Sequence, residues 1–286
     1  MLRVHFSLLT TNFIFFQELI VGARAAADRA GLCLTVSDAD GSRETQIAQV
    51  TDASDCDALI VVTGDRRVLE HAFAVKVIPT VLVDFPLGLP DIPFVGSDSY
   101  SGGLELGKYV AVKINPRKEG IRVLALVNPV SPESELRLQG FLDGLRKVGP
   151  ASCLCRLSLS DIASADELRR LIEEVPDADC LFGYDGVALE LLLEASRGMH
   201  HHYYIAGFDL SDRIERALET NTRLIAVEAQ NPQLVGEVAV QHACILAAGA
   251  KLVGSSWLPP KTLIPCRLVL SKCREPRAQR RGYLNT

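Results

Sequence analysis

The chain has 286 residues, of which 48% are apolar and 23% are charged, and its formal net charge is −5. This composition excludes a disordered chain, and the length is sufficient for one large domain or two of medium size. The acidic balance, with an isoelectric point of about 5.7, disfavours a surface that binds nucleic acid or an anionic membrane.

The amino-terminal segment is apolar, but it does not have the pattern of a secretory signal. Residues 1–20 contain one basic residue, Arg3, and polar residues at positions 12, 17 and 18 interrupt the apolar run. A signal peptide needs a basic head, an uninterrupted apolar stretch and a small-x-small cleavage site. We therefore expect no export signal. No apolar run reaches the roughly 18 residues that a membrane-spanning helix needs, so no membrane contact is predicted.

The first part of the chain alternates short apolar strands with helices. The apolar runs are continuous, which is typical of strands covered on both faces of a sheet. Predicted strands cover residues 2–9, 32–36, 58–62 and 80–83, and predicted helices cover residues 15–30, 42–50 and 66–74.

A second series of the same kind begins after Val95-Gly-Ser-Asp98. Its predicted strands cover residues 123–127, 154–159, 180–182, 203–208 and 224–227, and its predicted helices cover residues 101–113, 134–147, 165–174, 186–197, 211–219 and 233–248. Alternation of strand and helix predicts a parallel, doubly wound sheet. Two comparable series without a flexible linker predict an α/β protein of two similar Rossmann-like lobes, joined by several short crossings.

The eight cysteines lie at positions 33, 56, 153, 155, 180, 244, 266 and 273. Their spacing fits neither a disulfide framework nor a zinc site, and several fall inside apolar strands. Free thiols are typical of a reducing compartment, so the sequence predicts a cytoplasmic protein.

Two segments resemble catalytic or metal motifs without completing them. The run Gly102-Gly-Leu-Glu-Leu-Gly-Lys108 lacks the hydroxyl residue of a phosphate-binding loop, because Tyr109 follows. His200, His201 and His202 are consecutive and cannot all face one ion on regular structure. No nucleophile elbow and no His-Glu-x-x-His helix is present. The sequence predicts no catalytic residue, no metal, no cofactor and no enzymatic activity.

Isolated acidic residues follow three of the predicted strands. Asp84, Asp185 and Asp209 each stand at or just past the carboxyl end of a strand. Ligands of open α/β sheets bind beyond these ends, so the acids are expected to converge on a cleft between the lobes. An aspartate in this position also often caps the next helix, which is the structural alternative.

Arg137, early in a helix, and Phe15 and Phe16, at the start of the first helix, are placed to reach the same region. Carboxylates and arginine bind pairs of sugar hydroxyls, and aromatic rings cover the apolar faces of sugars. Either phenylalanine alone is also typical of a core residue.

Four segments together resemble the effector domains of the lactose-repressor family and the ribose-type periplasmic binding proteins, which share the periplasmic binding protein type I fold. They are Val81-Leu-Val-Asp-Phe-Pro86 with Val95-Gly-Ser-Asp-Ser-Tyr-Ser-Gly-Gly103, Arg137-Leu-Gln-Gly-Phe-Leu-Asp-Gly-Leu145, Ile205-Ala-Gly-Phe-Asp209 and Ala229-Gln-Asn-Pro-Gln-Leu-Val-Gly236. The resemblance extends from the first strand to about Cys273.

The resemblance implies two lobes that close over a small ligand, with crossings near Ser97, Gln230 and Pro259. The implied lobes are residues 1–97 with 231–258 and residues 98–230 with 259–275, followed by a tail, residues 276–286. The implied ligand-binding set adds Gln230 and two aromatic departures from the ribose-type pattern, Phe85 and Tyr184. The full set is Phe15, Phe16, Asp84, Phe85, Arg137, Tyr184, Asp185, Asp209 and Gln230.

A further departure is Phe13-Ile14, where the family has Asn-Pro. Phe85 and Tyr184 stand where the family has polar ligand-binding groups, and they indicate a ligand that is larger, less hydroxylated or of another kind than ribose.

The resemblance leaves two branches open. Ile264-Pro-Cys-Arg-Leu-Val-Leu-Ser-Lys-Cys273 and the cysteine content favour a cytoplasmic, lactose-repressor-type regulator. It would be a homodimer that binds a sugar or sugar-like effector and contacts DNA only through a segment not in this chain. The alternative is a periplasmic solute-binding protein of a sugar ABC transporter, which Gln230-Asn-Pro-x-x-x-Gly236 favours. An α/β enzyme of sugar or nucleotide metabolism is the third possibility.

Overall fold

The computed structural model describes residues 1–75, 77–85, 87–89, 91–114, 120–200, 203–250, 261–264 and 267–270. These residues form two compact units. The first is drawn from Met1–Ser97 and Asn231–Ile264, and the second from Asp98–Gln230 and Pro265–Thr286. Each unit is a six-stranded sheet covered by helices, which confirms the predicted class of two α/β lobes with largely parallel sheets.

The first unit contains six strands and four helices within its described residues. The strands are β1 (Arg3–Leu8), β2 (Cys33–Asp38), β3 (Ala58–Val62), β4 (Thr80–Val83), β5 (Phe94–Ser97) and β11 (Lys261–Ile264). The helices are α1 (Ile14–Ala30), α2 (Arg43–Asp52), α3 (Arg66–Val75) and α9 (Pro232–Ala247).

The second unit contains six strands and five helices within its described residues. The strands are β6 (Ile121–Val127), β7 (Ala151–Ser158), β8 (Cys180–Gly183), β9 (Tyr204–Phe208), β10 (Leu224–Ala229) and β12 (Arg267–Leu270). The helices are α4 (Ser99–Ile114), α5 (Pro132–Val148), α6 (Ala165–Glu173), α7 (Gly186–Ala195) and α8 (Asp212–Thr220).

The two sheets have the same strand order. It is β11-β5-β4-β3-β1-β2 in the first unit and β12-β10-β9-β8-β6-β7 in the second. They differ at one edge, where β11 runs parallel to β5 but β12 runs antiparallel to β10.

Strand β11 belongs to the first unit, whereas the boundary predicted from the sequence assigns residues 259–275 to the second lobe. The strand pairs along its whole length with β5. The physical reason is that hydrogen bonds between strand backbones determine which sheet a strand joins. A short apolar run in the sequence does not show which strand it will pair with. The predicted crossing near Pro259 and the tail lie outside the described residues.

Local sequence explains where several helices start and stop. Helix α1 ends because Gly31 adopts a left-handed conformation, with φ of 63°, and donates its N–H to the carbonyls of the last turn. Ser131 caps the amino end of helix α5, because its hydroxyl accepts the Ser134 N–H, and Pro132 occupies the first helical position.

The glycine-rich run at residues 102–108 lies inside α4 and serves helix packing. A Cβ at Gly103 would collide with the carbonyl oxygen of Arg137, and one at Gly107 with that of Phe141. These glycines allow α4 and α5 to pack with their backbones in close approach. The segment is therefore not a phosphate-binding loop.

Each face of the first sheet has its own core. Helices α1 and α9 pack on one face, around Phe6, Ile60 and Val81, and α2 and α3 pack on the other, around Leu59 and Leu82. Helices therefore leave β1 and β3, which are neighbours, toward opposite faces. In the described part of the chain, no helix combines the length and the apolar character needed to cross a membrane.

Candidate functional site

Arg137 forms the centre of a polar network at the carboxyl edge of the second sheet. Helix α5 carries it, and its side chain is 8% exposed. Its Nη1 donates to the backbone oxygen of Tyr184 at 2.9 Å and lies 3.5 Å from Oδ2 of Asp209. The guanidinium carbon lies 4.7 Å from the centre of the Phe208 ring. A buried cation is thus held by a carboxylate, a carbonyl and an aromatic face.

Asp209 follows β9 and accepts hydrogen bonds on both carboxylate oxygens. Oδ1 accepts from Nε2 of Gln230 at 2.6 Å, and Oδ2 accepts from the Gly186 N–H at 3.3 Å. Ser211, not Asp209, caps α8, because the serine hydroxyl accepts the Ile214 N–H. Asp209 therefore does not cap α8, the helix that follows it, although its Oδ2 accepts the first N–H of α7.

Gln230 follows β10 and leaves one buried acceptor without a partner among the described residues. Its Nε2 donates to Asp209, whereas its Oε1 accepts no hydrogen bond from the residues that the structure describes. A buried carbonyl oxygen without a donor is costly, so a ligand hydroxyl that donates to Oε1 would be stabilised here.

Asp185 and Tyr184 lie beside this network. The Asp185 carboxylate accepts the Ala188 N–H at 2.8 Å and so caps α7, as the structural alternative expected. Burial raises the pKa of Asp185, and burial beside the Asp185 carboxylate raises the pKa of the Tyr184 hydroxyl. The tyrosine therefore stays protonated at neutral pH and can donate a hydrogen bond.

Asp84 has the same backbone arrangement at the carboxyl edge of the first sheet. Its φ is 68°, and its N–H donates to the carbonyl of Val95 at 3.1 Å. The corresponding values for Asp209 are a φ of 68° and a bond of 2.9 Å to the carbonyl of Glu228. The two aspartates therefore occupy equivalent positions in the two units.

Aromatic side chains lie at the same edge of the first unit. Phe15 and Phe16 are half-buried at the start of α1, with ring centres 5.4 Å apart in an edge-to-face arrangement. Phe85 is half-buried against the same core. Phe13 lies 6.1 Å from Phe16 and is 54% exposed. Phe13 is not part of the hydrophobic core of this unit.

The structure thus groups the predicted residues within each unit. Arg137, Tyr184, Asp185, Asp209 and Gln230 meet at the edge of the second unit, and the remaining four belong to the first unit. The predicted cleft between the lobes stays a prediction.

Sequence reasoning missed two contributors: Phe208 beneath Arg137, and Ser99 at 3.5 Å from its Nε. It noted Phe13 as a departure from the family pattern but did not include it in the ligand-binding set. Phe208 could have been found, because it stands next to Asp209 inside a recognised segment.

Metal-ligating side chains do not cluster in the described part of the chain, where no group of three or more His, Cys, Asp or Glu residues could hold an ion. His201 and His202 lie outside it. Among the described cysteines, Cys56 and Cys180 are buried and Cys33 is exposed. Burial strongly raises the pKa of the Cys180 thiol, which keeps it protonated and inert.

Residues 4–251 match the family described as "Periplasmic binding protein domain". The chain belongs to this family. This binding-protein chain is 26% identical over 270 residues to the ribose import binding protein RbsB of Bacillus subtilis, covering 89% of this chain and 85% of the relative.

Solved structures show the same fold. The periplasmic component of an ABC-type sugar transport system from Hahella chejuensis is 26% identical and superposes with a TM-score of 0.78, covering 93% of this chain and 99% of the other. An ABC transporter periplasmic solute binding protein from Actinobacillus succinogenes, with bound D-allose, is 18% identical, with a TM-score of 0.77 and coverage of 95% and 98%.

These relatives bear on the two branches that the resemblance leaves open. The family match supports the periplasmic binding protein fold. The relatives named for ribose import and for sugar transport favour the transport alternative over the repressor interpretation. The attributions to transcription regulation, to a dimer and to a DNA partner are not supported. The cytoplasmic assignment depended on the cysteine content, which does not determine where the protein works.

Proposed function

We propose that this protein is a solute-binding protein that captures a sugar in the periplasm and delivers it to an ABC-type import complex. The observation that carries the proposal is the network of Arg137, Asp209 and Gln230 at the carboxyl edge of the second sheet. Membership of the binding-protein family and the similarity to RbsB, a ribose import binding protein, support it.

The network has the chemistry that a pair of neighbouring sugar hydroxyls requires. Asp209 supplies acceptors, Arg137 supplies donors, and Oε1 of Gln230 is a buried acceptor without a described donor. Each hydroxyl of a sugar donates one hydrogen bond and accepts others, so a pair of hydroxyls can satisfy all three groups. A charged hydrogen-bonding pair that is already in place also loses little side-chain entropy on binding.

The aromatic edge of the first unit favours a sugar with a pronounced apolar face. Phe13, Phe15 and Phe16 present three rings, and the exposed Phe13 is where ribose-type proteins have a polar residue. A ring contacts C–H groups and not hydroxyls, so each added ring favours a ligand with fewer hydroxyls on one face. We therefore propose a deoxy or methyl-substituted sugar in preference to ribose.

A thermal-shift screen of pentoses, hexoses, 6-deoxyhexoses and polyols, followed by calorimetry, tests the proposal. A ligand at 100 times its dissociation constant should stabilise the fold by about 2.7 kcal/mol, which raises Tm by several degrees. Asp209→Asn preserves the left-handed backbone and should weaken binding of the best hit by about 2 kcal/mol. Exposed Asp212→Asn is the matched control. If no sugar binds the folded protein, the proposal is wrong.

Two further measurements separate the other interpretations. The transport proposal expects a monomer by light scattering with and without sugar, whereas a regulator expects a dimer. The transport proposal also expects mass spectrometry to recover the bound sugar chemically unchanged. A ligand-dependent dimer would favour the regulator, and a chemically altered sugar would favour an enzyme.

A further inference from the structure

A cavity of about 370 Å³ opens at the carboxyl edge of the first sheet. Its walls come from the segments that follow β1 and β3 and from the first turns of α2 and α3. Phe15, Phe16, Asp84 and Phe85 are not among the described residues that line it. The cavity is thus formed by other residues than the predicted sugar-binding set, and its volume lies in the range of small-molecule sites.

The sheet topology explains why a crevice forms there. Strands β1 and β3 are neighbours, but α1 packs on one face of the sheet while α2 and α3 pack on the other. Chains that leave neighbouring parallel strands toward opposite faces separate at the carboxyl edge. Ligands of open α/β sheets bind at this kind of switch point.

The charged lining carries an excess of positive charge. Both Arg43 and Arg67 pair with the single carboxylate of Asp65, Arg67 through a 3.0 Å contact from Nη2. These two guanidinium groups hold the pKa of Asp65 below its usual range. Among the lining residues two cations share one anion, which leaves unused guanidinium donors for an anionic group, although the charges of Glu44 and Glu70 also act on Arg67.

A buried amide supplies an acceptor next to this charge. Gln46 lines the cavity with no exposed surface, and its Nε2 donates to the carbonyl of Val62 at 3.0 Å and to Ser7 Oγ at 3.3 Å. The bond to Val62 fixes the amide orientation, because only the nitrogen can donate to a carbonyl. Oε1 of Gln46 is therefore a buried acceptor that no described residue satisfies.

We propose that this cavity is a second small-molecule site, which binds a hydroxylated carboxylate such as a sugar acid. The carboxylate of the ligand pairs with Arg43 and Arg67, and one of its hydroxyls donates to Oε1 of Gln46. Thr63, which is 1% exposed and also lines the cavity, supplies a further hydroxyl. The mixed lining of donors, one carboxylate and an unsatisfied amide oxygen fits such a ligand better than a neutral sugar or a simple anion.

Calorimetry with D-gluconate on the full chain tests this site. We expect a dissociation constant below about 1 mM and at least about tenfold weaker binding to both Arg43→Gln and Arg67→Gln. Arg66→Gln is the matched control, because Arg66 precedes Arg67 on the same turn but does not line the cavity. Equal weakening by the control, or no binding of gluconate to the folded protein, would overturn the proposal.

A steric variant avoids the charged residues altogether. A Cβ at Gly64 meets no atom within 4 Å, and the backbone there is not left-handed, so Gly64→Ala should fold normally while it fills part of the cavity. We expect weaker gluconate binding and an unchanged Tm. Unchanged gluconate binding in both Gly64→Ala and the arginine variants would place the ligand elsewhere.

Two controls separate this site from the proposed sugar site. Asp209→Asn should leave gluconate binding within about twofold of the parent, and Arg67→Gln should leave the binding of a neutral sugar equally unchanged. Loss of gluconate binding in Asp209→Asn alone would show that gluconate occupies the sugar site. Sulfate lacks a hydroxyl for Gln46, so binding as tight as that of gluconate would overturn the assignment of a hydroxylated ligand.

Discussion

The carboxyl edges of the two sheets share one backbone arrangement but carry opposite chemistry. Asp84 and Asp209 both follow a central strand, both have a φ of 68°, and both donate their N–H to the carbonyl of the neighbouring strand. Around Asp209 lie a buried arginine and a glutamine amide, whereas the edge that carries Asp84 is lined by phenylalanine rings. The fold thus sets where ligand-facing residues stand, and the side chains decide what each edge binds.

The neighbouring strands show a second difference between the edges. The carbonyl that accepts the aspartate N–H belongs to Val95 in the first unit and to Glu228 in the second. Glu228 is 1% exposed, and its Oε2 has no hydrogen-bond partner among the described residues. The second unit therefore carries a buried ionisable group at a position where the first carries an apolar one.

Removing the buried cation should have the largest effect. Arg137→Ala leaves the carboxylate of Asp209 without its cation and empties the space over Phe208, so we expect the free energy of unfolding to fall by about 3 kcal/mol or more. Binding of the sugar should be lost. Exposed Arg213→Ala, which removes surface ion pairs with Glu190 and Glu194, should cost less than about 1 kcal/mol. If urea unfolding shows similar losses of stability for Arg137→Ala and Arg213→Ala, the expected difference between the buried and the exposed arginine is wrong.

Glu228 should make stability depend on pH. Burial, and secondarily the charge of Glu105, raises the pKa of Glu228 to about 8. An unfolded glutamate titrates near about 4.3, so between the two values the folded state retains a proton that the unfolded state has released. The free energy of unfolding should therefore fall by about 1.4 kcal/mol for each unit that the pH rises within this window.

Glu228→Gln and Glu228→Val should each flatten that pH dependence in denaturant titrations. The valine variant has the side chain of Val95, the counterpart of Glu228 in the first unit. It should be the more stable of the two variants at pH 8. If the free energy of unfolding still depends on pH in the same way in both variants, another titratable group causes the dependence.

Phe13 tests the aromatic edge at little structural cost. Because its ring is exposed, Phe13→Asn should change the free energy of unfolding by less than about 0.5 kcal/mol while weakening sugar binding by about 1 kcal/mol. Exposed Val77→Asn in the same unit is the control and should affect neither quantity. Unchanged calorimetric affinity in Phe13→Asn would remove this ring from the site.

The helix caps provide the smallest expected effect. Ser42→Ala in the first unit and Ser211→Ala in the second each remove a hydroxyl that accepts a first-turn N–H, and each should cost about 1 kcal/mol of stability. The cost at Ser211 should be slightly larger, since its hydroxyl also donates to Glu190. Neither variant should weaken sugar binding by more than about twofold. A strong loss in Ser211→Ala would show that Asp209 depends on the cap for its position.

Strand and helix order could be predicted from the sequence because their signals are local. Continuous apolar runs such as Ala58–Val62 indicate doubly covered strands, and Thr80–Val83 is found with the predicted limits. The ends of the helices lie within two residues of the predicted limits, and α4 begins two residues early because Ser99 and Tyr100 complete its first turn. Strand β5 was not predicted, because four residues around Gly96 form too short a pattern.

The chemical class of each candidate site residue follows from its type and its position after a strand, and these signals lie in the sequence. Only the tertiary structure decides which aspartate caps a helix and which belongs to a network, because the partners of Arg137 lie 47 and 72 positions away. Only the tertiary structure likewise shows that β11 pairs with β5, which is distant in the chain, and that a cavity lies beside Arg67. Local propensity acts over a few residues, whereas burial, charge pairing and strand partnership depend on which distant segments the fold brings together.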